Sequence, residues 1–160
     1  MNRLPTTSRD AVVLSRSPPG RRYLKCSEVW FRLGGCPVRV SLGSLGRKWT
    51  PLILLAIGSY RVDRFNRLLE TLPDVGRKVL ATRLRELERG GMVRRVDPGV
   101  STLFVRWVLT PKGKDALVIV LMVSAFGSKH HADVVFTDRK PRKLHEVVGP
   151  KEMRLVSGLL

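Results

Sequence analysis

The sequence predicts a mainly α fold with one small β-hairpin, and three observations predict it. Apolar residues recur at helical spacing in four stretches between positions 37 and 89 and in the run "ALVIVLMV" at 116–123, whereas 103–109 alternates with the period of a strand. Proline stands at Cys36-Pro37, Thr50-Pro51 and Thr110-Pro111, where its missing N–H is harmless in the first turn of a helix. "DPGVST", residues 97–102, supplies the Pro and Gly of a turn between two strand-like segments.

Taken in order, residues 1–35 contain Pro18-Pro19-Gly20, Gly34-Gly35 and scattered arginines without long periodicity. They read as a basic, partly ordered N-terminal arm with a short helical stretch around "SEVWFRL". Helix one is expected at 37–45, with Val38, Leu42 and Leu45 on one side, and helix two at 51–59, with Thr50 as its cap. Helix three should run over 64–71, capped by Asp63 and stopped by Pro73, and helix four is the segment 76–89, bounded by Gly90-Gly91. Strands follow at 92–96 and 103–109; in the second, Leu103, Val105, Trp107 and Leu109 alternate with Phe104, Arg106 and Val108. Helix five, 111–126, carries the apolar run behind a Thr110 cap. Residues 128–160 read as a C-terminal extension, a basic loop plus a short helix that aids dimerisation. Three helices, a longer fourth, a hairpin and a fifth helix is the order of a winged helix-turn-helix domain, here spanning 36–127.

Charge narrows the function. Thirty Lys and Arg against 13 Asp and Glu leave a net +17, with an isoelectric point near 11.3. The excess is not confined to the arm, because residues 36–91 alone hold eleven cations against five anions. A basic folded surface fits a polyanion, and double-stranded DNA is the expected partner. The longest apolar run is about half of what a bilayer crossing requires, so no membrane association is expected. The N-terminus lacks the apolar stretch and cleavage pattern of a secretion signal, and two cysteines, Cys26 and Cys36, suggest no disulfide framework. A cytoplasmic, nucleoid-associated location follows.

Enzymatic chemistry is not expected. There is no Gly-rich phosphate loop, Ser-His-Asp set or carboxylate pair, and three histidines offer little general-base capacity. His130-His131 near Asp133 is a weak metal motif, since adjacent helical side chains diverge by about 100°. No cofactor or metal is expected.

Helix four carries the sharpest signal. With Leu80 at zero, Leu84 and Leu87 fall within about 40° of it, forming a buried stripe, while Lys78, Thr82, Arg85 and Arg89 cluster opposite. Glu86 projects toward the Val79 edge and Glu88 toward the Leu84 edge, so the acids do not join the outward stripe. An uncompensated cationic face is what phosphate and base-edge contacts require. Arg83 lies between the apolar residues and Glu86, an angle that favours a structural ion pair or a phosphate clamp over base reading.

The segments "CPVRVSLGSLGRKWTPLIL", "RFNRLLETLPDVGRKVLATRLRELERGGMVRR" and "LTPKGKDAL" closely resemble the HxlR-type winged helix-turn-helix transcriptional regulators of bacteria and archaea. The resemblance covers roughly residues 36–127. It implies a homodimer on operator DNA, with helix four in the major groove and the hairpin as a wing along the backbone or minor groove. Lys48 and Trp49 match the family's Gly-x-Lys-Trp, with Trp in the core and Lys near DNA. Phe65 and Asn66 match its Arg-Phe-Asn element, and Lys78, Val79, Leu80, Arg83, Leu84, Arg85, Glu86 and Leu87 match its recognition-helix signature. The chain departs from the pattern at Gly76, where Ser is usual, at Arg77, often Pro or His, and at Thr82, often Gln. The hairpin is also about one residue longer than usual.

The expected DNA-facing set is therefore Lys48, Arg77, Lys78, Thr82, Arg83, Arg85 and Arg89, with Arg94, Arg95 and Arg106 of the wing on phosphates. Val38, Leu42, Leu117, Val118, Leu121, Met122 and Phe126 are expected at the dimer interface. Cys36 precedes helix one, where the helix dipole and Arg39 favour thiolate. Either a redox or electrophile sensor or a small interface residue fits that position, and a small effector stays open as a partner. A less specific architectural DNA binder is the alternative to a sequence-specific regulator acting on an inverted repeat.

Overall fold

A computed structural model describes residues 36–96 and 105–159. The arm 1–35 with Cys26, the turn 97–102, and Leu103 and Phe104 lie outside the described residues. The elements run α1 (Pro37–Leu45), α2 (Thr50–Gly58), α3 (Phe65–Thr71), α4 (Arg77–Arg89), β1 (Val93–Val96), β2 (Arg106–Leu109), α5 (Pro111–His130), α6 (Ala132–Val135), α7 (Leu144–Val147) and α8 (Pro150–Leu159). Strands β1 and β2 pair antiparallel, with Val93 opposite Leu109 and Arg95 opposite Trp107. This is a winged helix-turn-helix: α2 to α4 followed by a two-stranded wing.

The main core forms where the apolar stripes of these elements meet. Ile53, Leu54 and Ile57 of α2, Leu68 of α3, Leu80, Leu84 and Leu87 of α4, and Trp107 of β2 are all buried in it. The stripe on α4 is the one the helical spacing predicts. Each such side chain contributes about 1.5–3 kcal/mol on leaving water, so α4 is seated by its leucines and not by its charges.

Two expected caps differ. Thr50 is the first residue of α2, not its cap; the cap is Trp49, in left-handed backbone at φ 77, with no side-chain hydrogen bond. That conformation turns the chain so that Trp49 packs against the core. Asp63 does not cap α3, whose cap is Arg64. Its carbonyl accepts from the Trp107 N–H at 2.7 Å and its carboxylate lies 3.6 Å from Arg106 Nε, so it is committed to β2. Thr110 does cap α5, its Oγ1 accepting from the Gly113 N–H at 3.1 Å.

The C-terminal half differs more. Helix α5 continues to His130 rather than ending at 126, and the segment after it forms three helices rather than one. Leu144, Val148, Leu155 and Val156 pack on Leu117, Val118 and Leu121 of α5, a second core. Arg142 ties this segment down: its N–H donates to the Ser128 carbonyl at 3.1 Å and its guanidinium to Asp138 at 2.9 Å. Both hydrogen bonding and charge from Arg142 hold the Asp138 carboxyl below its ordinary value.

Candidate nucleic-acid interface

Helix α4 begins at Gly76 in extended backbone and ends in a Schellman-type turn. The Met92 N–H donates to the Leu87 carbonyl at 2.9 Å, with Gly91 between them at φ 69, a conformation that favours glycine. Thr110 and Lys112 then fix this end to α5. Thr110 Oγ1 donates to the Gly91 carbonyl at 2.6 Å and Lys112 Nζ to the Gly90 carbonyl at 2.8 Å. Gly113 lets the two elements approach, because a Cβ there would stand 1.9 Å from the Met92 carbonyl oxygen. The recognition-type helix is therefore held at its C-terminal end by the start of the long helix.

On its outward side, Arg77, Lys78, Arg85 and Arg89 are exposed and Thr82 is half-buried. No carboxylate among the described residues forms an ion pair with Lys78 or Arg85. Thr82 Oγ1 donates to the Lys78 carbonyl at 2.9 Å, so its proton is committed within the helix. The Arg77 guanidinium lies 5.6 Å from the Phe65 ring centroid, at the N-terminal edge of the same face. Lys48 reaches over the Trp49 ring at 4.8 Å.

Arg83 is placed differently from these. It is half-buried, and its Nη1 donates to Glu86 Oε2 at 2.5 Å. Arg47 Nη1 meets the other Glu86 oxygen at 3.2 Å, a contact that the sequence reading did not find. The hydrogen bond from Arg83, then the positive charge of Arg83, Arg47 and Arg89, holds the Glu86 carboxyl below its ordinary value against a partial desolvation that raises it. Arg83 is thus occupied by the structural ion pair, the first of the two roles its angle allowed.

The wing arginines divide. Arg94 and Arg95 are exposed on β1, while Arg106 is drawn to Asp63 and anchors β2 to the turn before α3. By register Arg94 and Arg106 share one face of the hairpin, and Arg95 shares the Trp107 face.

The expected dimer residues also divide. Leu117, Val118 and Leu121 are 1%, 4% and 0% exposed, covered by the chain's own C-terminal segment. They belong to the second core and are not available to a partner. Met122 and Phe126, at 48% and 59%, are exposed together with Ile119 and Val123, at 46% and 64%. Those four stand at i, i+3, i+4 and i+7, a continuous apolar stripe. The same spacing was present in the sequence, but the opposite face of the helix is equally apolar. Val38 and Leu42 of α1 are exposed as well, and Cys36, just before α1, is half-buried. His130 and His131 both lie against Phe126, with ring centroids 4.8 and 5.8 Å away. Among the described residues no helix is long and apolar enough to cross a membrane.

Comparison with known proteins places this arrangement. The HxlR-like helix-turn-helix family matches residues 44–134. The HTH-type transcriptional regulator YdeP of Bacillus subtilis is 30% identical over 96 residues, covering 60% of this chain and 74% of that protein. YodB of Bacillus subtilis, also an HTH-type transcriptional regulator, is 37% identical over 79 residues, covering 49% of this chain and 70% of its own. The structure of reduced YodB superposes with a TM-score of 0.52 at 28% identity, covering 60% of this chain and 94% of that one. The redox regulator HypR in its reduced form gives a TM-score of 0.52 at 28% identity, with 62% and 95% covered.

Proposed function

The chain belongs to the HxlR-like helix-turn-helix family, and on that premise we propose that it regulates transcription as a homodimer bound to a specific inverted-repeat site. The observation that carries this reading is the outward face of α4. Lys78 and Arg85 are exposed and without a carboxylate partner among the described residues, while the nearby acid, Glu86, is drawn aside by Arg83 and Arg47. Such a face suits the major groove, with Thr82 and Arg89 in the same stripe and Arg77 at its N-terminal edge. Lys48, Arg94 and Arg95 would meet flanking phosphates, which position a protein without reading bases. Arg83 and Arg106 would support this surface from behind through Glu86 and Asp63.

The dimer seam we infer is the stripe Ile119, Met122, Val123 and Phe126, with the exposed Val38 and Leu42 of α1 as further apolar contacts. Exposed apolar side chains in one helical stripe favour burial against a second copy. The C-terminal segment contributes by supporting α5 from behind rather than by crossing to the partner.

A competition titration separates this reading from an architectural binder. A specific regulator should prefer its selected site over bulk DNA by ~10³ or more at one salt concentration. Near-equal affinity for both would support the architectural role instead.

A second reading, that the chain senses oxidants or electrophiles, concerns Cys36, whose position directly before α1 favours thiolate, and the redox regulator HypR is among the similar structures in both its reduced and its oxidized form. A measured thiol pKa at or above the ordinary value of about 8.5 would contradict it.

A further inference from the structure

Between the C-terminal end of α2, strand β2, α5 and α8 lies a cavity of about 350 Å³, inside the ~300–1,000 Å³ range of pockets that hold small organic ligands. Apolar side chains from four elements line it, namely Ile57, Leu109, Leu117 and Leu155, with Trp107 beside them. Three exposed cations share the lining: Arg61 from the turn after α2, Lys114 from α5 and Lys151 from the first turn of α8. The one carboxylate among the lining residues, Asp63, is paired with Arg106.

We propose that this cavity binds a small aromatic carboxylate, its ring against the leucines and its carboxylate among Arg61, Lys114 and Lys151. An apolar interior rewards an apolar body. Three cations and no unpaired acid among the lining residues favour a negative charge, and a nucleic acid backbone is far too large for the cavity.

Arg61 supplies an independent sign. Its φ is 58, a left-handed conformation that side chains other than glycine adopt at a cost. The turn is held there by hydrogen bonds from the Tyr60 N–H to the Leu55 carbonyl, 3.4 Å, and from the Val62 N–H to the Ala56 carbonyl, 3.0 Å. Strain kept at one residue, whose side chain then lines a cavity, is a pattern of ligand sites. Lys151 and Leu155, moreover, lie outside residues 44–134, so this wall is supplied by the chain's own C-terminal segment. The ligand would sit against β2, the strand that carries the wing; only that regulatory consequence rests on the proposed function.

Calorimetric titration of the full chain, without DNA, tests the site independently of any role in transcription. The probes are 1-naphthoate and its neutral analogue 1-naphthamide. Naphthoate should bind once per chain and naphthamide at least about tenfold more weakly, the loss expected for a charged hydrogen-bonded contact. Arg61→Gly suits the left-handed backbone, so it should fold and still weaken naphthoate by about tenfold, as should Lys151→Gln. Lys78→Gln, on α4 and outside the cavity lining, should leave the affinity for naphthoate unchanged. Equal binding of acid and amide, no binding of either, or an Arg61→Gly protein with undiminished affinity would overturn the proposal. So would a Lys78→Gln protein that loses binding, since that would mark a general attraction to basic surface.

Discussion

Arg83 Nη1 donates to Glu86 Oε2 at 2.5 Å, one turn apart on the flank of α4, and Arg47 from the turn after α1 closes on the same carboxylate. The pair removes one acid and one base from competition with the outward face. It also makes a pH signature. Glu86 is held below its ordinary value of 4.5, so its contribution to stability is complete above that value and is lost as pH falls through the lower folded value. Urea midpoints of wild type should therefore drop as pH is lowered from about 4.5. Glu86→Gln should flatten that drop; an unchanged acid slope in the variant would remove the pair from the account of α4.

Lys78→Ala and Arg85→Ala should each weaken DNA binding and lower the slope of log affinity against log salt by about one, the signature of one lost phosphate contact. If either side chain reads a base edge instead, its loss should relax preference at one position by about 1–3 kcal/mol. Anisotropy titrations at several salt concentrations, on the selected site and on single-base variants, distinguish these outcomes. Neither change should alter the thermal midpoint appreciably, because both side chains are exposed.

Phe126→Asp should give a folded monomer. The residue is 59% exposed in one chain, so the substitution leaves the intramolecular core intact and places a charge in the inferred seam. Sedimentation velocity alongside circular dichroism reads both properties. A variant that stays dimeric would move the interface elsewhere.

Val156→Asp should destabilise the chain by about 3 kcal/mol, since it puts a charge against buried Leu117 and Leu121. Chemical denaturation measures it. A change within about 0.5 kcal/mol, the scale of ordinary surface substitutions, would mean that the C-terminal segment does not form this core.

These variants also mark what was legible in the sequence. The stripe Leu80, Leu84 and Leu87 and the cationic face opposite were readable because a helix with one apolar side has one orientation. Proline spacing located the start of α5 for the same local reason. Asp63 and Thr50 were misassigned as caps because a cap is chosen by tertiary demand: Asp63 goes to Trp107 and Arg106, and Trp49 takes the cap to reach the core. On α5, "ALVIVLMV" is apolar on both sides, so periodicity could not decide which face meets the chain and which meets a partner. Helices α6 and α7 have four residues each, too few for any period to appear. Arg47 was missed because its partner, Glu86, is 39 positions away.

A hydroxyl-radical footprint of the purified protein on its selected duplex is the most direct measurement of the central claim. The expected result is two protected half-sites related by a dyad, about 10–10.5 base pairs or a multiple apart, both weakened by Arg85→Ala and lost when Lys78 and Arg85 are both replaced by alanine. Protection without a dyad, or a dyad that persists unchanged when Lys78 and Arg85 are both replaced by alanine, would contradict a homodimer that reads DNA with the outward face of α4.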